Sequence, residues 1–416
     1  MLERCHGFTK TEQSVDENLM SHSILFTRQP IFDALMNTYA YELHCSTKDN
    51  EGAAVQENRE QGVELLVNAF SNILDSGYIK YLPALISGGA EWLYENQLPE
   101  IPVETLLMEI NNFNDLSDEA KNNVRLMAKN GYRLVAPEHA PEALIELASI
   151  VKIDIRDRSN EALTRACQRF SKRDNTKLLA MNVDSHEAYS ACKNAGFDLF
   201  LGNFFATPQY VKGRKLERNE QVMFQLIGEV NHPKATPESI EKVLQSDPEL
   251  VASILRLVNS AAFRGRRTIS NIAEAIVVLG LVELRKWVLM FALSHNKRTS
   301  NELIGLLLIK GKMCELLAES NPQVDPSTAF LTGILSGIDA VLAMPIDELM
   351  QQLPVQVEVK RALTGGSNPL GRILATVNLY VLGEWQGLSN QEEIDTLATH
   401  FEYSLGWSEE LLQQLA

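Results

Sequence analysis

Hydrophobic residues recur at helical spacing through residues 246–294, and they predict three successive helices. Ser246, followed by Asp-Pro-Glu, predicts a helix start, because a Ser hydroxyl can accept an early backbone N–H and Pro is tolerated in the first turn. The apolar residues of this helix fall at i, i+3, i+4 and i+7, namely Val251, Ile254, Leu255 and Val258. We expect a second helix from a Ser270 cap to Gly280, and a third from Val282 to about Leu293.

Short apolar runs alternate with helical patterns in the first half of the chain. Residues 24–33 and 38–45 predict two strands joined by a polar turn, which is a hairpin. Predicted helices follow near 54–75, 117–130, 141–149, 160–173 and 185–195, separated by the predicted strands TLLMEIN, YRLVAPE, IVKIDIR, KLLAMNV and FDLFLGNFF. Alternating strands and helices are typical of parallel sheets, and this many repeats predicts a barrel.

A polar stretch at residues 207–220 contains Pro and Gly and follows the last predicted strand. The pattern after it is helical to the end of the chain. We therefore predict a mobile tail at 1–22, a barrel domain at 23–207 and a helical domain at 208–416. The expected fold class is α/β followed by all-α.

The composition is that of an ordinary soluble globular protein, with 416 residues of which 45% are hydrophobic and 22% charged. The five cysteines are scattered, odd in number and never spaced as CxxC, which indicates reduced thiols rather than disulfides or a zinc site. The first residues lack the apolar core of a signal peptide, and no run reaches the length of a membrane span. We therefore expect a cytoplasmic protein without membrane contact.

The net charge of −16 disfavours nucleic acid over most of the surface, so we expect no nucleic-acid partner. Residues 247–294 depart from this balance, because they hold six Arg or Lys against four acids. Arg264, Arg266 and Arg267 lie in a loop of this stretch and are the candidate surface for a protein partner, with a solvated loop as the alternative. DNA binding by the helix at 282–290 is a weaker alternative, because apolar residues surround most of its circumference and predict burial.

Residues 246–294 resemble the HDOD module, an all-helical bacterial signalling domain related to HD phosphohydrolases but lacking their metal site. The resemblance is carried by DPELVASILRLVNSAAF, the Arg-rich loop, ISNIAEAIVVLGL and LRKWVL, in this order. A generic helical bundle with the same periodicity is the alternative. Ser336-Gly337 stand where relatives of the module carry His-Asp, so the resemblance implies no metal site in this half.

The first half resembles the EAL domain, the barrel of cyclic di-GMP phosphodiesterases, in the shortened form that is joined to HDOD modules. The most specific segment is FTRQPIFDALMNTYAYELHCS, and LLMEINNF, KIDIR, LLAMNV and LGNFFATP follow in family order. The two resemblances together cover nearly the whole chain. They imply a bacterial signalling protein of the EAL-HDOD type.

Hydrolysis by an EAL barrel uses two divalent metals, held by carboxylates and an Asn at the carboxyl ends of the strands, to activate a bridging water. By resemblance, Glu42 occupies the Glu of the namesake motif, and Glu109 the first Glu of E-x-T-E. Lys152 and Asp154 match K-x-D, and Glu138 stands in the family's Asp-Asp pair with one methylene too many to be assumed equivalent. These five are the residual pocket positions.

The other expected ligands are missing. Asn112 replaces the second Glu of E-x-T-E, Pro137 the first Asp of the Asp-Asp pair, Met181 a late Glu and Leu201 a Gln, and residues 80–87 (KYLPALIS) contain no Asn. Proline cannot coordinate through its side chain, and a thioether does not suit Mg²⁺ or Mn²⁺. We therefore expect no metal, no cofactor and no catalytic residue. Glu42 and Lys152 are expected to pair as a buried salt bridge in the barrel mouth, with nucleotide contact as the alternative.

These expectations describe a catalytically inactive protein of cyclic di-GMP signalling that acts through protein partners on motility or biofilm formation. The pathway is implied by the resemblance alone. Binding of cyclic di-GMP in the damaged pocket is a less favoured expectation. The first alternative is an active phosphodiesterase with a metal site rebuilt from Glu42, Glu109, Glu138 and Asp154, and the second is a DNA-binding regulator.

Overall fold

The structure is a computed structural model of the 416-residue chain. It describes residues 25–48, 54–55, 82–88, 102–170, 173, 175–210, 218–230, 232, 235–245, 247–259, 268–294, 299–388 and 391–415. The predicted tail at 1–22 lies outside these residues.

Nine strands are found in the described part of the chain: β1 (Leu25–Asp33), β2 (Thr38–Lys48), β3 (Ala54–Val55), β4 (Ala84–Gly88), β5 (Leu106–Ile110), β6 (Arg133–Pro137), β7 (Ala148–Asp154), β8 (Lys177–Met181) and β9 (Leu199–Leu201). Their order is β1-β9-β8-β7-β6-β5-β4-β2-β3, and a further pairing of β1 with β2 closes a barrel of eight strands. The predicted hairpin and barrel are both confirmed.

Strand β1 runs against its neighbours. It pairs antiparallel with β2 and with β9, whereas β2 and the strands from β4 to β9 are parallel to one another. The first residues of β1 therefore lie at the mouth formed by the carboxyl ends of the other strands. Because successive side chains of a strand point to opposite faces, alternate residues of β1 line the barrel.

The barrel interior is filled by one layer of apolar side chains, almost all without solvent exposure: Ile31, Ala40, Leu85, Leu107, Val135, Ile150, Leu179, Leu199 and Leu201. The residues between them point outward and join a larger core with the surrounding helices. The residues two positions further toward the mouth are mainly polar. The strand period of two thus separates a dry interior from the candidate site above it.

Four described helices accompany the barrel: α1 (Asp118–Lys129), α2 (Glu142–Ile145), α3 (Asn160–Phe170) and α4 (His186–Ala195). Ser117 and Ser185 cap α1 and α4 by accepting the backbone N–H groups of Ala120 and Ala188. Gly196 ends α4 in the left-handed conformation, at φ 104°.

Two predicted helices of the barrel half need correction. The helix near 54–75 is wrong at its start, because Ala54–Val55 form a short strand that pairs antiparallel with β2, and residues 56–75 lie outside the described residues. The helix at 141–149 is too long, because α2 ends at Ile145 and Ala148 already begins β7. Both regions are rich in apolar residues, and over such short runs periodicity does not separate helix from strand.

The second half is helical. Its helices are α5 (Arg218–Val230), α6 (Pro237–Leu244), α7 (Pro248–Val258), α8 (Ile272–Ser294), α9 (Asn301–Glu319), α10 (Pro326–Leu335), α11 (Ile338–Leu342), α12 (Ile346–Gln352), α13 (Val357–Leu363), α14 (Pro369–Val381) and α15 (Gln391–Leu415). None of the helices in the described part of the chain combines the length and apolar character that crossing a membrane requires.

The three helices predicted within 246–294 are present, with different caps. Asp247 rather than Ser246 caps α7, because its carboxylate accepts the backbone N–H of Leu250. Asn271 rather than Ser270 begins α8, where its side chain accepts from the backbone of Glu274. Both corrections reflect the competition between adjacent cap formers, which local sequence does not resolve.

Gly280 interrupts α8 with φ 75° and ψ 161°, a backbone conformation that favours glycine. The interruption separates the second and third predicted helices. In the third, Leu284 and residues 287–291 are buried, as the apolar pattern predicts. Val282 and Glu283 are exposed at its start.

The two halves share a hydrophobic core. A hairpin joins β1 and β2 without an intervening helix, so their outward side chains are covered by α14 and α15 instead. The rings of Phe26 and Phe401 lie 5.4 Å apart edge to face, and the Tyr380 hydroxyl donates to the Phe26 carbonyl at 3.3 Å. Thr27 also donates to the Val381 carbonyl at 3.0 Å. The helical half therefore covers the outer face of β1 and β2, where the barrel half provides no helix between the two strands.

Candidate functional site

The candidate site is the layer of side chains at the barrel mouth. Seven of the eight barrel strands, all except β9, contribute the residue two positions beyond an interior apolar residue, so the pattern that fills the barrel also sets this layer. The members are Gln29, Glu42, Ser87, Glu109, Pro137, Lys152 and Met181. Three of them are charged, and the structure brings these three together.

Lys152 lies between two carboxylates. Its Nζ donates to Glu42 Oε1 at 2.5 Å and to Glu109 Oε2 at 3.0 Å. The exposed fractions of Glu42, Glu109 and Lys152 are 4%, 7% and 7%, so the group is almost fully withdrawn from solvent. The buried salt bridge expected between Glu42 and Lys152 is present, and Glu109 is a second acceptor.

Two further groups hold these carboxylates. The Ser87 hydroxyl donates to Glu109 Oε2, and His44 Nε2 lies 3.0 Å from Glu42 Oε2. Ser87 belongs to the segment in which sequence analysis finds no metal-binding Asn. In its place the chain has a hydroxyl that donates a hydrogen bond instead of binding a metal.

The electrostatics favour the charged forms of the pair. Burial would by itself raise the pKa of Glu42, but the Lys152 charge and hydrogen bonds from His44 and Lys152 outweigh it and lower this pKa to about 2. Burial would likewise lower the pKa of Lys152, but the charges of Glu42 and Glu109 raise it to about 12. Both groups are therefore ionised across the whole neutral range.

The two remaining predicted pocket residues are engaged separately, each by an arginine. Asp154 accepts from Arg156 at 2.5 Å and from the Asn182 amide at 2.9 Å, and the hydrogen bonds from Arg156 hold its pKa well below the usual range. Glu138 accepts from Arg158 at 2.5 Å. Neither carboxylate contributes to the buried group at Lys152.

The donor set does not fit a two-metal centre. All five predicted pocket residues are engaged in ion pairs within the chain, and the described residues include no group of three or more His, Cys, Asp or Glu arranged to hold a metal ion. Pro137 and Met181 occupy two mouth positions, and Asn112 turns out of β5 in the left-handed conformation at φ 54°. Hard cations such as Mg²⁺ require oxygen ligands, which the side chains of Pro137 and Met181 do not provide.

Ser336 and Gly337, which stand where a His-Asp pair is expected in the helical half, lie in a tightly packed region. Ser336 donates its hydroxyl to the Gly333 carbonyl. A Cβ at Gly337 would lie 2.7 Å from a methyl group of Leu307, and Gly333 contacts Gly311 where α9 crosses α10. An Asp at position 337 would therefore require Leu307 to move.

A cleft of about 1460 Å³ joins the mouth to the helical half. Gln29, Glu42 and Lys152 line it from the barrel, and residues 301–310, 381–387 and 409–413 contribute from the helices. A ligand that fills this cleft would therefore contact both halves of the chain.

Arg28 forms the main polar contact across this boundary. Its guanidinium donates to Glu409 at 2.5 Å and lies 4.4 Å from the centre of the Tyr41 ring, whose hydroxyl donates to Glu302 at 2.6 Å. The side chain of Arg28 is only 8% exposed, and Nη1 has no partner among the described residues. The positive charge of Arg28 is thus balanced by the helical half.

Some of these residues could have been found from the sequence and others could not. Gln29 and Ser87 follow from the strand alternation that identifies Glu42 and Lys152. The pairing of Arg28 with Glu409 joins residues 381 positions apart and leaves no local signal. Arg264, Arg266 and Arg267 lie outside the described residues, so their role as a partner surface stays a prediction.

Comparison with known proteins supports the EAL-like assignment of the first half and the HDOD assignment of the second half. Residues 216–386 match the family model of the HDOD domain. A Vibrio cholerae (serotype O1) protein named cyclic di-GMP phosphodiesterase CdgJ is 28% identical, over 93% of this chain and 91% of its own length. The uncharacterized protein YuxH of Bacillus subtilis (strain 168) is 25% identical, over 94% of this chain and 99% of its own.

Solved structures with EAL domains are also similar to the chain. An EAL domain protein from Listeria monocytogenes EGD-e is 19% identical, and the match covers 44% of this chain and 87% of that one with a TM-score of 0.33. The YkuI protein of Bacillus subtilis, which has an EAL domain and was solved with c-di-GMP and calcium, is 15% identical, with 62% and 73% covered and a TM-score of 0.36.

Proposed function

The chain is an EAL-HDOD protein, and on this basis we propose that it is a regulatory protein of cyclic di-GMP signalling that does not hydrolyse the nucleotide and acts through protein contacts. The pathway is suggested by CdgJ, whose name assigns it to cyclic di-GMP. The proposal extends to control of motility or biofilm formation in the cytoplasm.

One observation supports the absence of hydrolysis: each of the four predicted pocket carboxylates has a cation of the chain as its partner. Glu42 and Glu109 share Lys152, and Asp154 and Glu138 pair with arginines. A metal ion could bind Glu42 only by competing with a buried ammonium group at 2.5 Å. Two-metal hydrolysis requires two such ions and the bridging water they activate, and the described residues include no cluster of three or more His, Cys, Asp or Glu that could hold a metal ion.

Binding of Mn²⁺, followed by electron paramagnetic resonance on the full chain, tests this proposal. We expect the wild type to leave Mn²⁺ in its free aqueous form, and Glu42→Gln to behave in the same way. Tight binding that disappears in Glu42→Gln would overturn the proposal, because it would show that the carboxylate prefers the metal to Lys152.

An active phosphodiesterase is the second candidate, favoured by the activity that the name of CdgJ assigns to that relative. It would require Glu42, Glu109, Glu138 and Asp154 to exchange their cations for metal ions and to move into one site.

The protein-contact part of the proposal rests on the predicted loop. A pulldown should compare the wild type with a variant in which Arg264, Arg266 and Arg267 are all changed to Glu. Loss of a partner that the wild type retains is expected. Unchanged recovery would reject the role of this loop.

A further inference from the structure

Lys310 has an exceptional position among the cations of the cleft. Of the described residues that line the cleft, three are Lys or Arg: Arg28, Lys152 and Lys310. The first two have carboxylate partners at 2.5 Å. The side chain of Lys310, on α9, makes no hydrogen bond or ion pair with any described residue, although it is partly buried.

The surroundings of Lys310 leave its charge without full compensation. Burial lowers the pKa of Lys310, and the nearby Asp339 carboxyl group only partly offsets this effect. The nearby Cys314 thiol is uncharged, because burial raises its pKa to about 12. Asp339 is itself partly buried, its pKa is raised by burial, and the Tyr210 hydroxyl lies 3.5 Å from its carboxylate. An anion placed against Lys310 would therefore gain a charge-assisted hydrogen bond that the protein itself does not supply.

The rest of the cleft indicates what kind of anion fits. Its volume of about 1460 Å³ exceeds what a single small ion fills. Gln29, Asn182 and Asn203 offer amide groups, and Glu302 and Glu384 offer carboxylates that can accept N–H groups. The carboxylates disfavour a free, compact dianion but suit a ligand with an anionic end and a polar heterocycle.

We propose that Lys310 binds the phosphate group of a nucleotide whose base lies toward the amide groups of the barrel mouth. The helical half thereby supplies the phosphate contact of a site that both halves share. The choice of cyclic di-GMP as the main probe rests on the proposed function; the phosphate site at Lys310 does not.

Isothermal titration of the full chain in a chelator-containing buffer tests the proposal with three probes: cyclic di-GMP, GMP and inorganic phosphate. We expect at least one nucleotide to bind and inorganic phosphate to bind far more weakly. Lys310→Met should weaken nucleotide binding by about tenfold or more, because a hydrogen bond to a charged group contributes on this scale. Lys310→Arg should retain most of the affinity.

Lys360→Met is the matched control, because Lys360 belongs to α13 and does not line the cleft. It should bind as the wild type does. The proposal is rejected if neither nucleotide binds to the wild type, if Lys310→Met binds as tightly as the wild type, or if inorganic phosphate binds as tightly as a nucleotide. A separate incubation of cyclic di-GMP with the chain and Mg²⁺ or Mn²⁺, without chelator and followed by chromatography, shows whether any is hydrolysed. Failure of the proposed function is therefore distinguishable from failure of this site.

Discussion

Two lysines line the same cleft and have opposite surroundings. Lys152 donates to two buried carboxylates, whereas Lys310 has no ion-pair partner among the described residues. The pKa of Lys152 is raised, and that of Lys310 is lowered. The difference separates a cation that is engaged by carboxylates inside the barrel from one whose side chain has no ion-pair partner among the described residues.

The difference follows from the elements that carry the two lysines. Lys152 lies on β7 inside a closed barrel, where β2 and β5 each place a carboxylate at the same level of the mouth. Lys310 lies on α9, where the crossing with α10 is formed by Gly311 and Gly333, which have no polar side chains to offer. A buried ion pair is costly to break but is not by itself strong evidence for stability, so mutation is required to measure each role.

The largest effect is expected at Lys152. Lys152→Met should lower the free energy of unfolding by about 3–5 kcal/mol, because it leaves two buried carboxylates without their cation. Urea denaturation of the full chain measures the change. A loss below about 1 kcal/mol would show that the buried group is more hydrated than its exposure indicates.

Arg28, the third cation of the cleft, should have an intermediate effect. Arg28→Met should lower the free energy of unfolding by about 2 kcal/mol. The loss is smaller than at Lys152, because Glu409 keeps part of its solvent contact when its partner is removed. A double-mutant cycle with Glu409→Gln measures the coupling between the two halves. Strictly additive effects would mean that the ion pair does not hold the halves together.

The pH dependence of stability tests the Glu42 side of the comparison. Folding lowers the pKa of Glu42 from 4.5 to about 2. The contribution of the ionised Glu42 carboxylate to the stability of the fold is therefore fully present above pH 4.5 and is lost as the pH falls toward 2. The difference in unfolding midpoint between wild type and Glu42→Gln should therefore shrink between pH 5 and pH 3. A difference that stays constant over this range would contradict the assigned pKa.

The smallest effect on stability is expected at Lys310. Lys310→Met should leave the melting temperature unchanged or raise it, because it removes a partly buried charge that lacks an ion-pair partner. Differential scanning calorimetry makes the measurement, with Lys360→Met as the control. A clear drop in melting temperature would indicate an ion pair that the structure does not show.

The sequence predicts the fold and the buried group at Lys152 better than it predicts the cleft. Strand alternation and the EAL-like motifs locate Glu42, Glu109 and Lys152, because all three depend on local pattern and barrel register. The isolation of Lys310 and the contact of Arg28 with Glu409 depend on how the helical half packs on β1 and β2, which no local pattern specifies. The cap at Asp247 rather than Ser246 shows the same limit on a smaller scale.

We propose, as the central point, that the barrel mouth does not hold the two metal ions of a phosphodiesterase, because its carboxylates are engaged by cations of the chain. Incubation of the purified full chain with cyclic di-GMP and either Mg²⁺ or Mn²⁺, followed by chromatography of the products, tests it most directly. The nucleotide should remain intact over hours at micromolar protein. Accumulation of the linear product, abolished by Glu42→Ala, would contradict the claim and establish the barrel as an enzyme.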